Sequence, residues 1–289
     1  MKKLIFISSI LILTSCEDKI DIKIDEGTSQ LAVDAFITDQ PVAQKIRLTK
    51  TSGYFDNSAS PAALGATVKI TDKINGKIYN FIDGNSSGNY IWTPGSNDTL
   101  GVIGDEYILS ITYSGEQFTS TSIMNPAPFV DSITDVYKPA NPSAGILVEG
   151  YFASFYARDF AGRTDFYWIK TYRNGVVNSN PSNMNIAWDA AYGPGADGFT
   201  FIIPIRDGIT PADKPFNLND SVTVEIHAIN EETWNFLSEV RTQTTNGGLF
   251  ASPPANVRTN IKNVNSSSKV KAVGFFNVGS ISVLSKIIK

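Results

Sequence analysis

No stretch of this chain after residue 16 carries a long helical period, and that absence constrains the fold more than any other feature. Short alternating or apolar runs recur instead, closed by Gly, Asn, Asp or Pro. Strand side chains alternate between two faces, so this pattern predicts antiparallel β structure. Residues 31–37 and 45–49 read as a first pair, joined through Thr38-Asp39-Gln40-Pro41. Residues 66–71 place Ala66, Val68 and Ile70 on one face and Thr67, Lys69 and Thr71 on the other. A turn at Asn75-Gly76 leads into residues 77–81, a strong hairpin signal. Residues 88–92 follow, and residues 105–113 pair across Ser114-Gly115 with 116–120. Seven or eight strands in about 100 residues predict a small sandwich.

Asn125-Pro126-Ala127-Pro128 marks a boundary, because two prolines interrupt any ladder and stiffen a linker. Beyond it strands are expected at 132–137, 146–157, 165–172, 199–205 and 221–228. One helix is expected near 230–241. Asn230 is a good N-cap, Glu231 and Glu232 suit the positive end of the helix dipole, and Trp234, Leu237 and Val240 share a face. The expected fold class is therefore all-β: two β-sandwich-like domains, 29–124 and 129–289, the second with long loops and one short helix. Its loops at 174–197 and 206–220 are rich in Asn, Gly and Pro, and long loops on a rigid β scaffold are where binding usually sits.

The N-terminus reads as an address. Met1-Lys2-Lys3 is basic, and residues 4–13 are apolar apart from Ser8 and Ser9. As a helix this run is about 15 Å long, roughly half a hydrocarbon core, which suits a signal peptide and not a membrane anchor. Leu13-Thr14-Ser15-Cys16 resembles the bacterial lipobox, and the resemblance implies cleavage before Cys16 and acylation of its thiol and amine. Two or more acyl chains anchor stably. Loss of residues 1–15 leaves 274 residues with 22 basic and 28 acidic side chains, a charge of −6. Residues 16–28 then form an acidic tether. Glu17, Asp18 and Lys19 directly after the cysteine look like the surface-export signal of Bacteroidota lipoproteins; a solvated tether carries such charges too.

Composition removes several function classes. One His and one Cys among 289 residues exclude a multi-His zinc site, internal disulfides, Cys-rich zinc sites and iron–sulfur clusters. The acidic balance argues against nucleic acid, which needs a basic face. His227 alternates with Val222, Val224 and Ile226, so it is expected on the outer face beside Glu225, as a solvated residue. No Gly-x-Ser-x-Gly elbow occurs to partner it. Asp159, Asp165, Asp189 and Asp197 are candidate carboxylates for a hydrolase that needs no histidine. The acids of Asp83-Gly84-Asn85 and Asp207-Gly208 lack the rest of a calcium loop and read as turn chemistry. No metal or cofactor motif emerges. Trp188 and Tyr192 stand out as expected ligand or partner contacts, because they sit in a Gly-rich loop where an aromatic ring can stack on a sugar or anchor a protein. Thr99, Ser132 and Ser221, each after Asp and before an aliphatic residue, resemble Bacteroidota O-glycosylation sites; ordinary turn-to-strand junctions have the same pattern.

Three stretches together resemble the Bacteroidota lipoproteins of the domain-of-unknown-function 4249 family. They are the lipobox followed by residues 31–38, the span from Gly65 through Gly88-Asn89-Tyr90 to 104–109, and the span from Asn246 through 253–261 to 272–276. The first half is also similar to the transthyretin-like or carboxypeptidase-regulatory-like sandwich, in which Tyr90 and Tyr107 would plug the core while their hydroxyls satisfy loops. The family resemblance implies an outer-membrane assembly, with a TonB-dependent receptor as partner, and carries over no catalytic residue. The expected function is a surface-exposed, lipid-anchored, non-enzymatic accessory or binding subunit for uptake. A structural subunit without a small ligand and a carboxylate-based hydrolase are the alternatives.

Overall fold

The computed structural model describes residues 27–53, 56, 58–96, 98–246 and 256–289. Seven strands follow one another in the first half: β1 (Leu31–Thr38), β2 (Gln44–Lys50), β3 (Thr67–Asp72), β4 (Ile78–Phe81), β5 (Asn89–Trp92), β6 (Glu106–Tyr113) and β7 (Glu116–Ile123). Their alternation becomes burial directly: Leu31, Val33, Ala35 and Ile37 of β1 face Val68 and Ile70 of β3 and Tyr107, Leu109 and Ile111 of β6 across one core. The two tyrosines act as expected. Tyr90 donates its hydroxyl to the Ala63 carbonyl at 2.8 Å and accepts from the Ala66 amide at 2.9 Å. Tyr107 accepts from the Val102 amide at 2.7 Å. Each ring fills the sandwich while its hydroxyl ties down a loop.

The second half contains β8 (Val130–Lys138), β9 (Gly150–Ala157), β10 (Phe166–Arg173), β11 (Val176–Val177), β12 (Asn185–Trp188), helix α1 (Ile203–Asp207), β13 (Ser221–Ile229) and helix α2 (Glu231–Thr245), then β14 (Lys262–Asn263), β15 (Ala272–Gly279) and β16 (Ile281–Ile287). One sheet runs β11-β10-β13-β16, with β12 on β10, and the β8–β9 ribbon covers its inner face. Helix α2 begins as expected, with the Asn230 side chain accepting from the Thr233 amide at 2.7 Å. The expected strand at 199–205 divides instead. Phe201 donates its amide to the end of β9, and the chain then turns into α1. Pro204 cannot donate to a ladder but suits the first turn of a helix. The described residues thus hold two α-helices, not one.

The larger departure is topological. β15 does not stay with the second half: it lies parallel to β1, pairing Leu31 with Ala272 through Thr38 with Gly279. β14 joins β7 at the other sheet's edge. The N-terminal sandwich is therefore β15-β1-β2-β5 facing β14-β7-β6-β3-β4, and the continuous unit expected at 129–289 is interrupted. After Ser280 the same extended segment becomes β16 and pairs with β13. The proline linker is stitched to this junction: Ser280 donates its amide to the Asn125 carbonyl, and the Ser280 and Ser282 hydroxyls accept from the amides of Ala127 and Val130. The two sandwiches share one through-going segment, β15 followed by β16.

Candidate functional site

The two long loops of the second half do converge. Asn174 and Gly175, at φ 50° and 77°, form the tight turn after β10, and residues 178–183 continue from β11 as one wall. Residues 209–216 form the other. Between them lies a cleft of about 560 Å³, floored by Thr171 and Ile209. Arg173 braces the second wall. Its guanidinium sits 4.4 Å over the Phe216 ring and donates to the Lys214 carbonyl at 2.8 Å. Asn178, Asn180 and Asn183 project from the first wall, with Asp213 and Lys214 opposite. Side-chain amides both donate and accept, so this lining suits a polar, hydroxyl-rich ligand. Val176 and Val177 supply an exposed apolar rim. The sequence singled out the loops but not these residues, because only the folded chain sets 178–183 against 209–216.

Trp188 and Tyr192 do not share one exposed surface. Tyr192 is exposed, but Trp188 lies on β12 and packs its ring against Phe166 at 5.7 Å and Trp234 at 6.0 Å, beneath α2. A helix covers the indole that the loop composition suggested was free. Thr99 and Ser132 are exposed, whereas Ser221 is half-buried and held in a turn network, its amide donating to the Asn174 side chain at 2.8 Å. Cys16, Glu17, Asp18 and Lys19 lie outside the described residues.

Three of the four candidate carboxylates come together. Asp159, Asp165 and Asp189 are all buried, while Asp197 is exposed and accepts from the Gly162 amide. Asp159 accepts from the Tyr167 hydroxyl at 2.6 Å and the Gly198 amide at 3.1 Å. Asp189 accepts the Asp165 amide at 2.9 Å, and Asp165 pairs with Arg163 at 2.7 Å. Burial pushes the Asp165 carboxyl up to about 6, with Arg163 opposing and the neighbouring acids reinforcing. None of the four lines the loop cleft. Their oxygens brace the 159–165 and 189–198 turns. No group of three His, Cys, Asp or Glu among the described residues is placed to hold a metal ion.

His227 is not solvated. It occupies the outer face of the β10–β13 sheet, as its alternation predicted, but that face is covered by β1 of the N-terminal sandwich. His227 is 8% exposed. Phe36 of β1 meets Trp168 edge-on at 5.3 Å, and Trp168 lies beside the imidazole. His227 Nε2 is 2.8 Å from Glu225 Oε2, and the Tyr172 hydroxyl donates to the same oxygen at 2.8 Å. Burial lowers the His227 pKa to about 4, against the pull of Glu225. Burial also opposes ionisation of Glu225, but the hydrogen bonds from His227 and Tyr172 and the charge of Lys170 outweigh it and hold its carboxyl below the usual range.

The family model described as "Domain of unknown function (DUF4249)" matches residues 17–285. The chain belongs to the DUF4249 family. Among solved structures it is similar to a two-fibronectin-type-III-domain segment from chicken tenascin, with 13% sequence identity and a TM-score of 0.21 over 69% of this chain and 89% of that one. No curated protein matches the chain.

The buried histidine of this DUF4249 protein gives a signed pH prediction. An unfolded histidine binds a proton near pH 6.5, whereas folded His227 resists until about 4. Within that window the unfolded state holds the extra proton, so the His227 contribution weakens folding as pH falls. Asp165 acts in the opposite direction, since its raised pKa lets the folded state bind a proton first. The comparison with His227→Asn isolates the histidine. In urea unfolding, the wild type loses about 2 kcal/mol more than the variant between about pH 7.5 and pH 4.5. Parallel pH profiles for the two proteins would contradict the buried, neutral imidazole.

Proposed function

We propose that this chain is a surface-exposed, lipid-anchored outer-membrane protein that works as a non-enzymatic accessory or binding subunit of a TonB-dependent receptor uptake system. The observation that carries the binding role is the loop cleft, a concavity of about 560 Å³ on a rigid sheet, lined by side-chain amides. It falls within the size range of small-molecule sites. None of the candidate carboxylates lines this cleft; Asp159, Asp165 and Asp189 are buried elsewhere, and Asp159 and Asp189 accept hydrogen bonds that brace turns. The anchoring role rests on Leu13-Thr14-Ser15-Cys16 and the acidic residues that follow. A lipid confines the protein to two dimensions beside its partner, which raises effective concentration and makes a modest pairwise affinity sufficient.

Capture of the full-length chain from detergent-solubilised outer membranes is expected to recover a TonB-dependent receptor; recovery of none removes the main support for the reading. Cys16→Ala is expected to abolish incorporation of labelled palmitate and to release the chain from the membrane fraction. On a glycan array, Asn178→Ala with Asn183→Ala should weaken binding at least about tenfold, the loss of roughly one good polar contact. A chain that recovers the receptor but binds no glycan would be a structural subunit with no small ligand.

A further inference from the structure

A second cleft, of about 550 Å³, lies between the two sandwiches, where the outer faces of β1 and the β10–β13 sheet approach. Lys170 and Asp34 both line it. Lys170 Nζ sits 4.0 Å over the Trp168 ring. It donates no hydrogen bond and joins no ion pair among the described residues, although burial lowers its pKa and penalises its charge. Asp34 projects from β1 as an exposed residue, and its carboxylate likewise has no hydrogen bond or ion pair. The two charges attract across the cleft but stand too far apart to pair. Glu225 attracts Lys170 more strongly than Asp34 does, but its carboxylate is already bonded to Tyr172 and His227 and forms no ion pair with Lys170.

We propose that this interdomain cleft binds a small zwitterion, an amino acid or short peptide whose carboxylate meets Lys170 and whose ammonium meets Asp34. A half-buried ammonium with unused donors is costly unless an acceptor reaches it, and a charged acceptor gives the strongest bond. A simple anion would satisfy Lys170 and leave Asp34 unpaired; a simple cation would do the reverse. Lys45 and Glu225 also line the cleft, but a ligand carrying both charges is the one that pairs both Lys170 and Asp34, and specificity arises from that double demand. The site is separate from the loop cleft and does not rest on the uptake reading.

Isothermal titration of the full-length chain in detergent micelles tests this with three probes: glycylglycine, N-acetyl-glycylglycine and glycylglycine amide. The first is expected to bind, and the two singly charged forms to bind at least about tenfold more weakly. Lys170→Met keeps the side-chain stem on Trp168 and removes the charge; Asp34→Asn alters an exposed position. Each is expected to weaken glycylglycine binding at least about tenfold while the thermal melt stays that of the wild type. Absence of glycylglycine binding overturns the proposal, as does equal affinity for the N-acetyl form. Binding that survives both substitutions overturns it too.

Discussion

Gly274→Ala is expected to destabilise the protein by about 4 kcal/mol or more, enough to put it among the exceptional single substitutions. Gly274 lies in β15 opposite Val33, at φ +95°. A Cβ there would stand 1.9 Å from the Val33 carbonyl oxygen and 2.8 Å from its carbonyl carbon and amide nitrogen. All three are backbone atoms, and β1 cannot retreat because β2 holds its other edge. The parallel ladder must open locally, on top of the cost of a left-handed alanine. Gly65→Ala is the control: φ is +77°, but nothing lies within 4 Å of the added carbon. It should cost only about 1 kcal/mol in the same urea titration. Equal losses at both positions would mean that β15 does not approach β1 as described.

Residues 27–125 expressed alone are expected to remain unfolded, even though they contain seven of the nine strands of the N-terminal sandwich. The fragment lacks Ile261, Ala272, Phe276 and Val278, all buried in that core. The three larger side chains together contribute about 5–8 kcal/mol by burial, comparable with the whole stability of an ordinary domain. Loss of β15 also leaves β1 as a bare edge, which invites aggregation. Circular dichroism of the fragment should show no cooperative melt, and fusing residues 256–279 to it should restore one. A cooperative melt without them would show that the return of the chain is dispensable.

Much of the architecture was legible because local rules suffice for it. The alternation in β1, β3 and β6 records which face is buried, the Asn230 cap is satisfied within three residues, and Tyr107 bonds a loop five residues away. Other features resisted for a common reason. β15 has buried residues on both faces, so its pattern says that it is interior without saying to which sheet it belongs. The outer face of β13 alternates as a solvated face does, yet β1 lies over it. Trp188 sits in a loop-like composition and is roofed by α2.

By itself the sequence determined the strands of the first half, the helix at Asn230, and the acidic and histidine-poor composition. Tertiary structure alone decided that the chain returns through β15, that Lys170 and Asp34 face each other unpaired, and that two distant loops enclose a cleft. The division is physical. Periodicity reports burial along one strand over a few residues, whereas pairing across more than 200 residues is set by which surfaces remain uncovered once every local element has formed.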